Sequence, residues 1–491
     1  MMEINKKYLN VFYIFIFLAY LLTQFPFLKA DSDLAIASGS RGAWTDEGLY
    51  TAPIRNIINQ GYNNFTKEHS ILKTPYAIVT PLYSIFLYPF FKLFGISLEM
   101  ARLITVLFCT VFIFIIFHKK DAKLIGIAFV LSTMMLNPIH QYTHLCLAEM
   151  YSTLLIIAAI VIGVYKVNLG SNKGLFLMYT FLICAVLFKI QFIYILPLPL
   201  FFYAWQLLLK EKSFSRKQFL NAVAVISIIL LSMFLLWYLP FKEAWKYTGS
   251  SSSGSISLKT ISLDIVLNNL NVFFFSKRYF LFTFLFLISF STFLYHYSKK
   301  KLPITYLRLT ELILIWILLE SHKITLTYLP VRYLISFYAA MGLFISVMFA
   351  FYFNQNKFLH KIIAFVFLIS CFAFNNYFYM QAFESRAYKV HEMNVFFRSI
   401  AKKSDIVIGP WAPAFTWETK CTTFPIWTVY TENKNILEEY SPSFIVSEHD
   451  QNDSGEAFKN DNLNLNTIGD SLIQTQIGQW KINIYAVKNK K

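Results

Sequence analysis

The chain has 491 residues, of which 56% are hydrophobic and only 14% are charged, and its mean hydropathy is +0.50. Soluble domains carry about a quarter charged residues, so this composition excludes an ordinary soluble protein and indicates a polytopic membrane protein. The formal net charge of +17 indicates either a nucleic-acid partner or basic loops between membrane spans.

The sequence predicts eleven transmembrane helices, which makes the chain an all-α polytopic membrane protein. A helix needs about 20 mainly apolar residues to cross the hydrocarbon core of a bilayer. The first apolar segment, from Tyr8 to Leu28, is longer than the core of a signal peptide, so we expect a retained span. The predicted spans are residues 8–28, 97–117, 124–139, 146–165, 174–189, 191–209, 219–240, 279–297, 309–321, 333–353 and 359–379.

Basic residues in alternate connections predict the orientation of these helices. Lys119 and Lys120 follow the second span, and consecutive lysines at 299–301 follow the eighth. Loops that stay in the cytoplasm are enriched in Lys and Arg. We therefore predict a cytoplasmic N-terminus and an extracytoplasmic C-terminal part, in a bacterial inner membrane. The charge of +17 then requires no nucleic-acid partner.

Two structural units are predicted. Residues 1–380 form the transmembrane module, which includes a large first outer loop at 29–96. Residues 381–491 are richer in Asp, Glu, Asn and Ser, and they alternate short apolar runs, such as 406–408 and 444–446, with polar stretches. This alternation predicts a small α/β domain outside the membrane.

Two adjacent carboxylates follow the first span. Asp46 and Glu47 lie within the segment WTDEGLY, which begins at Trp44. Acidic residues are common in the first turn of a helix, where Thr45 would be the N-cap. The same pair is also suited to act as a general base and a neighbour that orients it or binds a metal. The residues alone leave both interpretations open.

Cations on the same side of the predicted bundle are candidate ligands for an anionic headgroup. Lys73 either extends to the membrane interface or, together with Arg102, binds a lipid phosphate. Arg332 lies next to Tyr333 in a loop that also carries Lys323. It is either an interfacial anchor or a phosphate ligand, because a planar guanidinium suits phosphate geometry.

Polar residues also lie where the third predicted span leads into the fourth. His140 and His144 are four residues apart, a spacing that suits two metal ligands on one helical face or two interfacial hydrogen-bonding groups. Glu149 lies at the start of an apolar segment, where a carboxylate needs a partner. Because all these acids and cations map to the outer side, the sequence predicts a site at the outer face of the membrane.

The order of these motifs resembles that of the GT-C superfamily of lipid-linked-sugar glycosyltransferases. A first span is followed by Asp-Glu-Gly-x-Tyr, a Lys-x-Pro segment, an Ala-Arg pair, an acid after the third span and a late Arg-Tyr pair. The similarity is greatest to protein O-mannosyltransferases and lipid A aminoarabinose transferases. It covers the first 380 residues in layout and is strongest over 40–105, and the segment GPWAP at 409–413 resembles the outer tail of bacterial members.

The resemblance implies roles for individual residues. Asp46 matches the catalytic acid of the first loop, and Glu47 is the second catalytic candidate. The predicted substrate-binding residues are Lys73, Arg102, Glu149, Arg332 and Tyr333. The chain departs from the family pattern where Thr74 replaces a Pro, where Glu149 replaces the usual Asp, and where Val331 separates a Pro from the Arg.

The reaction implied by the resemblance is transfer of a sugar from a polyprenyl-phosphate donor to a hydroxyl group of a lipid, glycan or protein, with inversion. Asp46 would accept the proton of the acceptor hydroxyl, and Arg332 and Lys73 would stabilise the phosphate that leaves. Membrane lipids are the other expected partners. Some relatives use a divalent metal and others do not; the candidate metal ligands here are Glu47, His144 and Glu149.

Two other functions are alternatives. A lipid-linked oligosaccharide flippase or transporter would be expected to place charges inside the bundle and to have paired halves. An O-antigen polymerase or ligase would need a central or late outer loop rich in Arg and His. The chain instead has an Asp-Glu pair after its first span, which favours the transferase.

Overall fold

A computed structural model describes residues 6–36, 42–61, 79–119, 122–166, 171–211, 214–242, 245, 262–355, 357–426, 435–448 and 458–488. The predicted substrate ligand Lys73 lies outside these described residues.

The described part of residues 1–400 is built from helices. They are α1 (Lys6–Gln24), α2 (Gly42–Gln60), α3 (Pro81–Phe94), α4 (Leu98–Ile116), α5 (Lys123–Phe129), α6 (Asn137–His144), α7 (Ala148–Lys166), α8 (Asn172–Phe188), α9 (Leu198–Leu208), α10 (Arg216–Met233), α11 (Leu263–Leu270), α12 (Phe280–Ser298), α13 (Ile304–Glu320), α14 (Ile335–Phe353), α15 (Phe358–Glu384) and α16 (Lys389–Ile400).

Eight of the described helices are long and apolar enough to span a membrane, or nine if the bent pair α5–α6 counts as one span. This confirms a polytopic helical protein but not the predicted number of eleven spans. Each of the eleven predicted segments is mainly helical. The difference comes from the bent pair and from α8 and α13, which have 17 residues each.

The predicted third span, residues 124–139, is broken in the structure. Helices α5 and α6 meet at an angle of 94°. Leu136 adopts an extended conformation before α6, and Pro138 lies in the first turn of that helix. Proline has no N–H to continue the preceding helix and disfavours a helical residue before it, so the chain turns here. The bend brings His140 and His144 into the protein interior.

Helix α14 is the centre of the bundle. It is apolar around its whole circumference, as expected for a helix that is surrounded by protein, and most of its residues are buried. It packs against α5, α7, α12, α13 and α15. Gly342 permits the closest of these approaches, because a Cβ there would overlap the side chain of Thr133. Helix α14 begins directly after the turn that carries Arg332. The packing of this helix therefore holds the backbone at Arg332 in position.

The C-terminal part contains a five-stranded sheet, which confirms the predicted sheet in the tail. The strands are β1 (Ile406–Ile408), β2 (Thr422–Phe424), β3 (Phe444–Glu448), β4 (Gly469–Ile477) and β5 (Trp480–Val487), and the short helices are α17 (Ala412–Phe415), α18 (Ile436–Tyr440) and α19 (Leu465–Ile468). Strand β1 pairs in parallel with β2 and β3, and β5 pairs antiparallel with β3 and β4. The sheet order is β2-β1-β3-β5-β4.

The sheet packs directly on α2. The indole rings of Trp44 and Trp480 lie 5.1 Å apart in an edge-to-face arrangement. The buried guanidinium of Arg55 donates hydrogen bonds to Thr416 and to Thr423 of β2. Apolar and polar contacts therefore join α2 to the tail, and the tail holds the helix that carries the Asp-Glu pair.

Gly48 provides the closest contact between α2 and the tail. A Cβ on Gly48 would lie 2.5 Å from the carbonyl carbon of Pro413 in α17. We expect Gly48→Ala to force the two backbones apart and to lower stability by about 1–3 kcal/mol, as overpacking does. Thermal unfolding in detergent and limited proteolysis of the tail measure this effect. An unchanged melting temperature and proteolysis pattern would contradict the close contact.

Candidate functional site

Asp46 and Glu47 are neighbours on α2 but have different partners. Successive side chains of an α-helix point about 100° apart, so Asp46 and Glu47 extend towards different neighbouring elements. Both side chains are buried. Asp46 contacts Arg332, and Glu47 contacts Arg102. The two carboxylates therefore lie in different electrostatic environments.

Glu47 is held on both carboxylate oxygens by Arg102. The Arg102 Nε donates to Glu47 Oε1 at 2.9 Å, and Nη2 donates to Oε2 at 2.7 Å. The backbone N–H of Cys146 donates to Oε1 at 2.7 Å. The remaining guanidinium nitrogen of Arg102 donates to the carbonyl oxygens of Phe27 and Ala30. This fully buried network joins α2, α4 and the segment after α1.

These contacts place Arg102 within the protein rather than at a ligand surface. It was predicted to bind substrate, but its guanidinium donors face Glu47 and three backbone carbonyls. A bidentate Arg–carboxylate pair is rigid and directional. The geometry therefore supports a positioning role for Arg102 and Glu47, which fix the helix that carries Asp46.

Asp46 lies beside Arg332, which is on the 3₁₀ turn Val331–Leu334. The distance from Arg332 Nη1 to Asp46 Oδ2 is 3.1 Å, and each side chain is 11% exposed. The guanidinium lies against Gly42, the first residue of α2, where a Cβ would overlap it. The Nε of Arg332 is buried and has no hydrogen-bond partner in the described part of the chain. Arg332 therefore retains a donor for a ligand.

Glu149 forms a third ion pair, with Lys189. The Lys189 Nζ donates to Glu149 Oε1 at 2.5 Å and to the Tyr50 hydroxyl at 3.1 Å. Both charged side chains are buried, at the start of α7 and just after α8. The other carboxylate oxygen of Glu149, Oε2, has no hydrogen-bond partner among the described residues. Glu149 was predicted to bind substrate; its Oε1 is paired with Lys189, and its Oε2 can still accept a hydrogen bond.

Lys323 supports the backbone of the Arg332 turn. Its Nζ pairs with Glu320 and donates to the Tyr333 carbonyl at 2.7 Å and to Ser336 Oγ at 3.0 Å. The hydrogen bonds to Tyr333 and Ser336 use two of the three N–H donors of the ammonium group, and the Glu320 carboxylate is its ionic partner. Burial lowers the pKa of Lys323, an effect that the Glu320 carboxylate opposes. Lys323 therefore fixes the turn through its hydrogen bonds to Tyr333 and Ser336.

These residues surround a cavity of about 180 Å³. Its lining includes Glu149, Arg332 and Tyr333, three of the predicted substrate-binding residues, together with Gln191, Phe192, His322, Lys323 and Leu326. The Gln191 amide donates to the Tyr333 hydroxyl at 3.3 Å. Arg332 connects the cavity to Asp46. The structure thus brings Asp46, Glu149, Arg332 and Tyr333 together.

The three candidate metal ligands do not come together. In the regions that the structure describes, no group of three or more His, Cys, Asp or Glu side chains is placed to hold a metal ion. His144 contacts Gln24 and stacks on Phe27. Glu47 is bound by Arg102 and Glu149 by Lys189. The described residues therefore do not fit a metal site.

Lys189 and Tyr50 are site residues that sequence reasoning missed. Tyr50 is the last residue of the WTDEGLY segment, and its ring also lies 4.6 Å from the Lys189 ammonium. Lys189 is an isolated lysine at the end of the predicted span 174–189. A charged residue within a long apolar stretch is a signal of function or of a buried partner, and that signal was available.

No protein-family model matches the sequence, and no curated protein matches it. The fold is similar to crystal structures of ArnT from Cupriavidus metallidurans. The structure bound to undecaprenyl phosphate has a TM-score of 0.57 and 10% identity, and the match covers 98% of each chain. The apo structure has a TM-score of 0.57 and 12% identity, and the match covers 97% of this chain and 98% of that one.

The fold is also similar to the archaeal oligosaccharyltransferase AglB from Archaeoglobus fulgidus, in complex with an inhibitory peptide and a dolichol-phosphate. The TM-score is 0.53 and the identity 9%, and the match covers 89% of this chain and 69% of AglB. At such identities the similarity concerns the fold. It confirms the resemblance found in the sequence: this chain has the fold of the GT-C superfamily, to which ArnT and AglB belong.

Proposed function

We propose that the protein is a membrane glycosyltransferase that transfers a sugar from a polyprenyl-phosphate donor to a hydroxyl group of an acceptor. The observation that carries the proposal is the ion pair between Asp46 and Arg332 beside the cavity lined by Glu149 and Tyr333. It combines a carboxylate that can accept a proton with a guanidinium that can bind a phosphate. The structural neighbours crystallised with undecaprenyl phosphate and a dolichol-phosphate support this donor class.

Arg332 is the cation best placed to bind the donor phosphate. Among the described residues, four cations pair with carboxylates on the elements that carry the site or adjoin it: Arg102, Lys189, Lys323 and Arg332. Of these, Arg332 has a buried nitrogen that lacks a partner in the described regions. A guanidinium has five N–H donors in a planar fork, so it can contact Asp46 and a phosphate simultaneously. The donor phosphate would therefore lie next to Asp46.

Asp46 is the proposed general base. The acceptor oxygen forms a bond to the anomeric carbon of the donor while the bond from that carbon to the phosphate oxygen breaks. The proton of the acceptor hydroxyl moves to the Asp46 carboxylate, and the electron pair of the broken bond remains on the phosphate. Arg332 stabilises the charge that develops there. Attack opposite the leaving group inverts the configuration of the anomeric carbon.

Glu149 and Tyr333 are proposed to bind the transferred sugar. Glu149 Oε2 is a buried acceptor without a partner in the described residues, and it belongs to the lining of the same cavity. Sugar hydroxyls are hydrogen-bond donors that satisfy such an oxygen. Lys189 would hold Glu149 in position through the other carboxylate oxygen. The α2 and tail side of the bundle, which carries this site, is the proposed extracytoplasmic side in a bacterial inner membrane.

The experiment that tests the proposal is an assay of the purified protein in nanodiscs with a polyprenyl-phosphate sugar labelled in the sugar. A membrane extract supplies candidate lipid, glycan and protein acceptors. We expect label to leave the donor and appear in an acceptor, with free polyprenyl phosphate as the second product. Movement of intact donor across proteoliposomes without bond cleavage would instead support the flippase and overturn the proposal.

Arg332→Ala is expected to weaken binding of undecaprenyl phosphate by about 10- to 100-fold, because charge-assisted hydrogen bonds to the phosphate are lost. Titration followed by native mass spectrometry measures the affinity. Arg332→Lys is the matched control: it keeps the positive charge beside Asp46 but loses the planar fork, so its affinity should be intermediate. Equal affinities in the wild type and both variants, with unchanged melting temperatures, would contradict the phosphate role.

A further inference from the structure

A second, larger cavity lies on the other side of the loop that carries Arg332. It has a volume of about 770 Å³ and lies between α11 with its following turn and residues 327–331. Its polar lining includes the side chains of Asn268, Asn269, Asn271, Arg278 and Tyr328. The function proposed above uses none of these residues.

The described lining of the cavity has mixed polarity with a single cation, Arg278. This arginine is already near Asp33 at 3.5 Å, Asn137 at 3.4 Å and the ring of Phe378 at 5.0 Å. A phosphate site needs cationic donors that remain available. An acyl chain needs a continuous apolar lining, whereas three asparagines lie here among the apolar residues Val272, Phe273, Leu329 and Val331.

The lining does suit a carbohydrate. Each asparagine amide offers both donors and an acceptor, which matches sugar hydroxyls that donate and accept at once. Tyrosine adds an apolar ring face and a polar hydroxyl to the same surface. Asn268 and Asn271 are exposed and make no hydrogen bond with any described residue, whereas Asn269 is buried and donates to the carbonyls of Ile324 and Leu326.

The cavity adjoins the proposed donor site. The segment from Leu326 to Tyr333 forms a wall of both cavities, because its ends line the smaller cavity and its middle lines the larger one. Tyr328 lines the larger cavity and is close enough to Arg332 to interact with it electrostatically. A ligand in the larger cavity would therefore lie against the same segment that carries Arg332, the partner of Asp46.

Helix α11 and the following turn expose apolar and polar side chains next to one another. Their exposed apolar side chains include Leu263, Leu267 and Phe275, while Asn268 and Asn271 line the cavity. A mixture of exposed apolar and polar side chains suits the interface between lipid and water, where both environments are within reach. The cavity is thus placed where the sugar part of a membrane-bound acceptor would be.

We infer that the larger cavity is the acceptor subsite and that the acceptor it binds is a carbohydrate. This inference rests on the proposed transferase function and specifies the acceptor class. The asparagine amides would hold the acceptor sugar, and its attacking hydroxyl would extend past Tyr328 to Asp46.

The test uses saturation-transfer NMR on the full-length protein in nanodiscs, with methyl α-mannoside, N-acetylglucosamine and lactose as probes and a serine-containing tripeptide for comparison. We expect saturable binding of at least one saccharide. The double variant Asn268→Ala/Asn271→Ala should weaken it by at least about tenfold through the loss of two neutral hydrogen bonds. Asn460→Ala, an exposed asparagine in the tail, is the matched control and should leave binding unchanged.

Undecaprenyl phosphate binding and melting temperature are measured on the same samples. The double variant should retain both, since neither residue contacts the smaller cavity. The inference is overturned if no saccharide binds, if only the peptide binds, or if the double variant binds saccharide like the wild type. Failure of the wild type to bind undecaprenyl phosphate would instead count against the proposed function itself.

Discussion

Asp46→Asn is expected to lower the rate of sugar transfer by about 10²- to 10⁴-fold, the usual contribution of a general base. Asparagine has nearly the same shape and can still accept a hydrogen bond from Arg332, but it cannot take the proton of the acceptor. Initial rates with a labelled polyprenyl-phosphate sugar, measured on purified variants, give the effect. Binding of undecaprenyl phosphate should change far less than the rate.

The control for this prediction is the melting temperature. The side chains of Asp46 and Arg332 are each 11% exposed and their ion pair is replaced by a neutral polar contact, so we expect a folded protein with a similar melting temperature. A variant that folds and transfers sugar at the wild-type rate would remove Asp46 from the chemistry. A loss of transfer rate accompanied by a large fall in melting temperature would indicate that Asp46 is structural.

Glu47→Gln is expected to lower the stability of the protein strongly, unlike Asp46→Asn, which should lower the rate and leave the melting temperature similar. The carboxylate of Glu47 and the guanidinium of Arg102 are almost completely buried. Removing one charge leaves the other without compensation, which typically costs about 3–5 kcal/mol. Thermal unfolding in detergent and the yield of folded protein measure this loss.

A double-mutant cycle separates this structural role from catalysis. Glu47→Gln combined with Arg102→Met removes both charges, so we expect the double variant to be more stable than additive single effects would give. If Glu47→Gln instead melts like the wild type but transfers no sugar, Glu47 takes part in the chemistry, as first expected from the Asp-Glu pair. The comparison of positions 46 and 47 thus tests two adjacent residues for different roles.

The helices could be located from the sequence, and so could four residues that lie together in the site: Asp46, Glu149, Arg332 and Tyr333. Long apolar segments predict helices because the bilayer requires every backbone group to be hydrogen-bonded within the segment. The bend before α6 follows from Pro138, a feature that the hydropathy pattern alone does not register. The count of spans differs because α8 and α13 are short, and apolar content does not fix where a helix ends.

The pairing of charges could not be predicted. Glu47 and Arg102 are 55 residues apart, and Glu149 and Lys189 are 40 apart. A single sequence identifies charged residues in apolar surroundings, but only the packing of helices decides which cation meets which carboxylate. For that reason Arg102 was expected at the ligand, whereas its contacts are with Glu47 and backbone carbonyls.

The role of the tail was also beyond sequence reasoning. Its strands were predicted from alternating apolar residues, but its contact with α2 depends on Gly48, Arg55 and Trp44, which belong to a distant part of the chain. The Asp-Glu-Gly segment therefore combines three functions: Asp46 faces Arg332, Glu47 anchors the helix, and Gly48 admits the tail.

The most direct measurement is a structure of the protein with undecaprenyl phosphate, determined by cryo-electron microscopy in nanodiscs. We predict that the phosphate lies within hydrogen-bond distance of the Arg332 guanidinium, in the cavity lined by Glu149 and Tyr333, and next to Asp46. Phosphate density elsewhere, with Arg332 still bound only to Asp46, would contradict this prediction.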